Sequence, residues 1–224
     1  GVTALIDDGA RLSFTTNQHV SLDSIFVQNS TFRAGRDTVI EINEASTGGG
    51  MVKTRSEVYL NGPGADARLN GLYYTGSDQH MDLRTVQYHR DQHCESTALY
   101  KGAVAEAGRS VYQGLIDVEK NASGTDAYLT NNNLILENGA KADSIPCLEI
   151  RTNDVKCSHG STSGKIDEEQ LFYLMSRGIP REDARRELIL GYFEDVIGRM
   201  PEIARETVRD NIISCVNRTD NWSR

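Results

Sequence analysis

Cys157 and His159 stand two residues apart in the run Asn153-Asp154-Val155-Lys156-Cys157-Ser158-His159-Gly160. On an extended strand that spacing puts both side chains on one face. Thiolate and imidazole together are ligands for iron, zinc or copper, and they are also the pair used in nucleophilic catalysis. Two ligands do not close a metal site, so this pair needs donors from elsewhere. A second group of similar residues, Gln79-His80, His89 and His93-Cys94, lies at the ends of one strand-like run and the start of the next. Its spacing does not bring its members together, and these read as surface or ladder histidines. No G-x-x-x-x-G-K-[ST] loop is present, so the chain is expected to bind and hydrolyse no nucleotide itself. Gly48-Gly49-Gly50, Gly71 and Gly76 lack the strand-then-helix setting of a dinucleotide fingerprint, and there is no G-x-S-x-G elbow.

The elements that must position these residues change character near residue 165. Before it, short runs alternate apolar and polar residues, as in Thr38-Val39-Ile40-Glu41-Ile42-Asn43 and Ser110-Val111-Tyr112-Gln113-Gly114-Leu115. Period-2 runs rich in Val, Ile, Thr and Tyr read as strands. Some 160 residues of strand with no intervening helix mean a sandwich, a barrel or a β-solenoid. Gly9-Ala10, Gly64-Ala65, Gly124-Thr125 and Gly139-Ala140 each place Gly and a small residue just before a strand. A solenoid needs such residues at its corners, and Asn131, Asn132 and Asn133 suit amides stacked along its ladders. The reading is therefore a β-solenoid over residues 1–164 and a small helical domain over 165–224.

In that second part, Asp167 with Gln170 makes a capping-box-like start and Gly178 a stop. Pro180 and Pro201 open two further helices. Ala184, Leu188, Ile189, Tyr192, Phe193, Val196 and Ile197 form one apolar stripe. Three helices at the end of a solenoid are expected to cover its last, unpaired strand edge.

Composition narrows the function classes. The 224 residues carry a formal net charge of −8, which argues against a nucleic-acid-gripping basic face. No apolar run approaches the roughly 18 residues of a membrane span. Cys94, Cys147, Cys157 and Cys215 include no C-x-x-C pair, which makes a reducing, cytoplasmic setting the expectation. The chain opens on Gly1 directly into a strand-like stretch, and reads as truncated or processed at its N-terminus.

The stretch Ser144-Ile145-Pro146-Cys147-Leu148-Glu149-Ile150, the Asn153–Gly160 run with Ser161-Thr162, and Asp167 to Ile179 resemble the SufB/SufD family. Gly71-Leu72-Tyr73-Tyr74, Asp78-Gln79-His80, His93-Cys94 and Leu99-Tyr100-Lys101-Gly102 fit the same family. The resemblance implies a right-handed parallel β-helix with a C-terminal helical domain, in a machine that assembles iron–sulfur clusters. It implies pairing through the β-helix with a SufB-like paralogue, or with a second copy of the chain. It also implies docking of a SufC-like ABC ATPase on the helices, and an N-terminal helical region that this chain lacks. Gly160 after the histidine, where SufB-like chains carry Glu, and Ala140, where they carry an acceptor cysteine, favour the SufD side. On this resemblance His159, with Cys157 beside it, is the chain's contribution to a transient cluster at the partner interface. Arg177, Gly178, Tyr192, Phe193 and Glu194 are expected to meet the ATPase, and the chain is a scaffold rather than an enzyme.

Two alternatives stay open. A β-helix polysaccharide hydrolase or lyase would need paired carboxylates on one face, for which Asp126, Asp143 and Asp154 are candidates. A SufB-type homodimeric scaffold would need no distinct partner.

Overall fold

The computed structural model describes residues 1–76 and 78–220, and the alternating runs are strands in it. They are β1 (Val2–Ile6), β2 (Arg11–Gln18), β3 (Ile25–Ala34), β4 (Val39–Ser46), β5 (Met51–Leu60) and β6 (Asp66–Thr75). They continue as β7 (His80–His89), β8 (Glu95–Val104), β9 (Arg109–Val118), β10 (Thr125–Ile135), β11 (Lys141–Ile150) and β12 (Val155–Lys165). Odd strands form one six-stranded sheet in the order β1-β3-β5-β7-β9-β11, and even strands the other, β2-β4-β6-β8-β10-β12. Every described neighbour pair is parallel; Met51 sits under His80 and His80 under Arg109. The chain is thus mainly β, a parallel solenoid of six coils followed by helices.

Register between coils is held at the corner that joins each odd strand to the next even one. Gly9, Gly64 and Gly124 occupy that corner with φ near +72°, and in the coils between them Asp37 (φ 51°) and His93 (φ 56°) take the same left-handed place. Their N–H groups each donate to the coil above: Gly9 to Arg36 O (2.8 Å), Asp37 to Pro63 O (3.0 Å), Gly64 to Gln92 O (3.1 Å), His93 to Ser123 O (2.9 Å) and Gly124 to Asp154 O (2.8 Å). Glycine alternates with a side chain because the side chain needs the space above it. A Cβ on Gly64 would collide with the Asp37 carboxyl, and one on Gly124 with the His93 ring. Gly139, expected at the same kind of corner, lies at the opposite one, between β10 and β11.

Inside the coils one half is apolar, with Phe32, Val58, Leu60, Ile40, Ile42, Leu69, Ile116 and Leu129 in a single cluster. The other half carries hydroxyls and amides. Tyr73 OH donates to Asn133 Oδ1 (2.6 Å), Asn133 Nδ2 to Asn131 Oδ1 (2.9 Å), and Asn131 Nδ2 back to Tyr73 OH (3.2 Å). The expected stack of asparagines along one ladder is therefore absent. Asn131 lies between Tyr100 and Ser161, and Asn132 faces outward, accepting from Thr162 Oγ1 at 2.7 Å. An asparagine ladder does exist on the outer face of the second sheet, where Asn70 Nδ2 donates to Asn43 Oδ1 at 3.2 Å.

The helices are α1 (Glu168–Ser176), α2 (Arg181–Ile197) and α3 (Glu202–Asp220), with residues 221–224 outside the described part. Asp167 Oδ1 accepts from the N–H groups of Glu169 (2.9 Å) and Gln170 (3.3 Å), the expected N-cap. The expectation that the helices cover the last strand edge is corrected by their position. They lie on the outer face of the second sheet, where Ile189, Phe193, Val196, Ile197, Val208, Ile212 and Val216 share a second core with Ala45, Leu72, Tyr74, Ala103 and Leu134. An apolar helix stripe buries more against a broad sheet face than against one strand's edge. Polar clasps fix the arrangement. Lys101 Nζ donates to Tyr192 O (2.8 Å) and pairs with Asp195 (2.9 Å), while Tyr74 OH meets Thr219 Oγ1 at 2.9 Å.

Replacing Gly124 by Ala forces a left-handed alanine against His93 and is expected to destabilise by roughly 1–3 kcal/mol. Gly191→Ala, in α2 with open space at its Cβ, is expected to stabilise by up to about 1 kcal/mol. Urea unfolding midpoints of both variants check this pair. His89, buried with Nε2 2.7 Å from Ser96 Oγ, titrates at about 4 because burial disfavours its charged form, against a weaker opposing pull from Asp117. The unfolded chain takes up a proton near 6.5 that the folded chain refuses until about 4. His89 therefore removes stability as the pH falls through that window, by up to about 1.4 kcal/mol per pH unit. Melting curves between pH 4 and 7 should fall more steeply for the wild type than for His89→Gln.

Candidate functional site

The last coil has a neighbour on one side only. Among the described residues β11 and β12 end their sheets and no helix packs broadly against them, so their outer edges present backbone N–H and C=O groups with no strand to pair with. β12 stacks on β10 with Cys157 over Ala127 and His159 over Leu129. Those partners point into the solenoid core, so Cys157 and His159 share the inward-facing side of the last coil, as their spacing requires. Among the described residues no seventh coil lies above, and that face is open. His159 is exposed, and Cys157 is half-buried against the apolar cluster. Burial pushes the Cys157 thiol up, and the charge of nearby Asp126 pushes it further. Both effects favour the protonated thiol at neutral pH.

Around the pair, Ser161 and Ser163 continue the same face of β12, above Asn131 and Asn133. Gly160, on the outer face, leaves space that the Tyr128 phenol borders. On the companion edge, β11 exposes Ile145 (49%), Ile150 (39%) and the Cys147 thiol. Sequence reasoning missed these apolar edge residues, since a period-2 pattern does not tell a strand inside a stack from the one that ends it. Among the described residues no three His, Cys, Asp or Glu side chains stand together as a ready metal site. On the open coil the described residues bring together the Cys157–His159 pair.

The other expected sites are dispersed. His80 faces outward, His89 is buried in the interior, His93 turns the corner, and the buried Cys94 thiol lies 3.3 Å from Gly62 O. The carboxylates that a sugar-cleaving enzyme would pair are also apart. Asp126 faces out from β10 on one sheet and Asp143 from β11 on the other, while Asp154 lies in the turn before β12.

Of the residues expected to meet an ATPase, Arg177 and Gly178 lie exposed after α1, with the Arg177 guanidinium 5.2 Å from the Tyr173 ring. Glu194 is exposed and bound by the Arg209 guanidinium through two bonds, at 2.7 and 2.9 Å, which hold its carboxyl below the usual range. Phe193 is fully buried in the helix–sheet core, and Tyr192 is half-buried with Lys101 Nζ 4.6 Å from its ring. Neither is a free aromatic anchor. Among the described residues of the helices, the exposed aromatics are instead Phe172 (72%) and Tyr173, with Met175 beside them, on α1.

Comparison with known proteins bears on the whole of this architecture. The family model for the SUF system FeS cluster assembly, SufBD core domain, matches residues 1–192. An iron–sulfur cluster assembly SufBD family protein of Mycobacterium leprae is 36% identical over 223 residues, covering 96% of this chain and 56% of that protein. The iron–sulfur cluster assembly protein SufD of Escherichia coli is 42% identical over 145 residues, 65% of this chain and 34% of that one. A SufBD family protein of Mycobacterium bovis is 28% identical over 200 residues, 89% of this chain and 24% of its own length. The chain spans about half the length, or less, of these relatives. With a matching core domain over most of its residues and an open coil carrying Cys157 and His159, the chain belongs to the SufBD family of iron–sulfur cluster assembly proteins.

Proposed function

We propose that this chain is a scaffold subunit of the Suf machinery that pairs through its last coil and lends His159 to a cluster forming at the interface. The observation that carries the reading is the position of His159: exposed, on an edge strand that pairs on one side with β10, on the open face of the final coil. Edge strands recruit further strands because their backbone groups are already extended and unsatisfied. Ile145 and Ile150 supply apolar area beside that edge. A SufB-like chain is the intended partner on the SufD-like character of Gly160 and Ala140, and a second copy of this chain is the other possible occupant.

The chemistry then follows from the donors that the described residues place on this coil. Iron in clusters is held mainly by thiolates, with imidazole as an occasional substitute. His159 offers one ring nitrogen, and Cys157, its thiol pushed up by burial, is a reluctant second donor. The remaining donors must come from across the interface, so assembly waits on pairing. This makes the chain a scaffold with a ligand rather than an enzyme, working in the cytoplasm on a cluster that is cargo.

The ATPase docks, on this reading, on the helices, where α1 exposes Phe172, Tyr173 and Met175 beside Arg177 and Gly178 and α2 exposes Glu194. Aromatic and Arg side chains on an otherwise uncommitted helix have the composition of an interface centre. Tyr192 and Phe193 lie in and beside the helix–sheet core and hold α2 in place on the second sheet.

His159→Ala, in a complex purified anaerobically after co-expression with the SufB- and SufC-like proteins, should leave folding and subunit mass unchanged while iron and acid-labile sulfide fall to background. Normal iron and sulfide in that complex would remove the ligand role. Phe172→Ser should weaken ATPase binding at least tenfold, measured by calorimetry, with a melting temperature within about 2 °C of the wild type because Phe172 is 72% exposed and buries little on folding. A chain that binds neither partner in native mass measurements would leave the family assignment standing and overturn the scaffold reading.

A further inference from the structure

Two carboxylates are buried among the described residues, Glu44 at 5% exposure and Asp117 at 7%. They are treated differently. Asp117 binds the Arg151 guanidinium and has Arg90 3.7 Å away. Glu44 has no cation within ion-pair distance among the described residues. It points into the polar half of the solenoid, where Ser56 Oγ and Tyr100 OH each lie 2.5 Å from one of its oxygens. The Tyr100 contact spans two coils, from β8 past β6 to β4. It is possible because the Tyr100 ring lies against Gly71 of the intervening strand, where any Cβ would collide with it. In register, Glu44 has Thr16 on one side and Gly71 on the other. The next titratable group is Tyr112 on β9, whose ring is 4.9 Å from that of Tyr100 and whose OH meets Thr85 Oγ1 at 2.7 Å. The groups facing Glu44 are thus hydroxyls, phenols and a glycine, with no positive charge among them.

An ionised carboxylate in such a place is expensive, and two hydroxyl donors offset only part of the desolvation. A neutral carboxylic acid fits the same positions, since it donates to one hydroxyl oxygen and accepts from the other. We propose that Glu44 is a neutral carboxylic acid in the folded protein at neutral pH, sharing its proton within the Ser56–Glu44–Tyr100 trio, and that this proton sets an alkaline limit on the solenoid. Burial pushes the Glu44 carboxyl and the Tyr100 phenol upward together, in the direction of a fully protonated trio.

The sign of the pH effect follows. Above the ordinary carboxyl range the unfolded chain has released the proton that the folded chain still holds. Stability therefore falls as the pH rises, by about tenfold in the folding equilibrium per pH unit, and levels off once the folded group also ionises. Glu44→Gln keeps a hydrogen-bonding group of the same shape but cannot ionise.

The test is urea unfolding of the wild type and Glu44→Gln from pH 5 to 9. The ratio of their folding constants, wild type over variant, should fall by about tenfold per pH unit from pH 5 upward. A ratio that stays flat over that range overturns the proposal. If Glu44→Gln does not fold, infrared spectra of wild-type protein in deuterated buffer at neutral pH decide. A protonated-carboxyl carbonyl band that shifts on 13C-glutamate labelling supports the proposal, and the absence of such a band overturns it.

Discussion

A solenoid coil stays in register only if the chain reverses at the same height as the coil beneath it. Here that condition is met by one column of left-handed residues, Gly9, Asp37, Gly64, His93 and Gly124, each donating its N–H to the carbonyl of the next coil. A slip of one residue anywhere in this column would turn every inward side chain outward. The placement of His159 over Leu129 is inherited from it. So is the stacking that lets Tyr73 and Tyr100 cross neighbouring coils at Gly102 and Gly71.

The second sheet carries a further demand, because it is packed on both sides. The latter halves of β4, β6 and β8 face the solenoid interior on one side and the helices on the other, which is why their final residues are buried without alternation. Parallel strands covered on both faces commonly read as continuous rather than alternating patterns. Among the described residues the first sheet has no such cover. Its outer face is braced by side-chain ladders, such as Arg33 over Tyr59, Tyr59 stacked on Tyr88, and Arg90 over Tyr88.

Much of this was legible in the residues and some was not, for identifiable reasons. The strands, the solenoid and the three helices follow from periodicity and from Gly, Pro and Asp at element ends. Asp37 and His93 escaped notice as corner residues because glycine is the usual signal for positive φ, and a non-glycine in that role looks like any loop residue. The apolar stripe of α2 was visible, but a stripe does not say what it packs against. The helices went to a sheet face rather than a strand edge, and Phe193 went inside while Phe172 stayed out. The Cys157–His159 pair was legible from spacing and family resemblance together. Its exposure was not, since that depends on β12 being the strand on which nothing stacks.

One consequence concerns mechanical coupling. The helices and the solenoid are not joined by a linker with a surface of its own. They share the second sheet, which is the wall of one core and the floor of the other. Separating them would strip that sheet bare, so they have no inexpensive hinge between them. A load applied at α2 or α3 is therefore carried through β4, β6 and β8 as through a single plank. It would turn the solenoid as one body, and the displacement would be greatest at its ends, one of which carries His159.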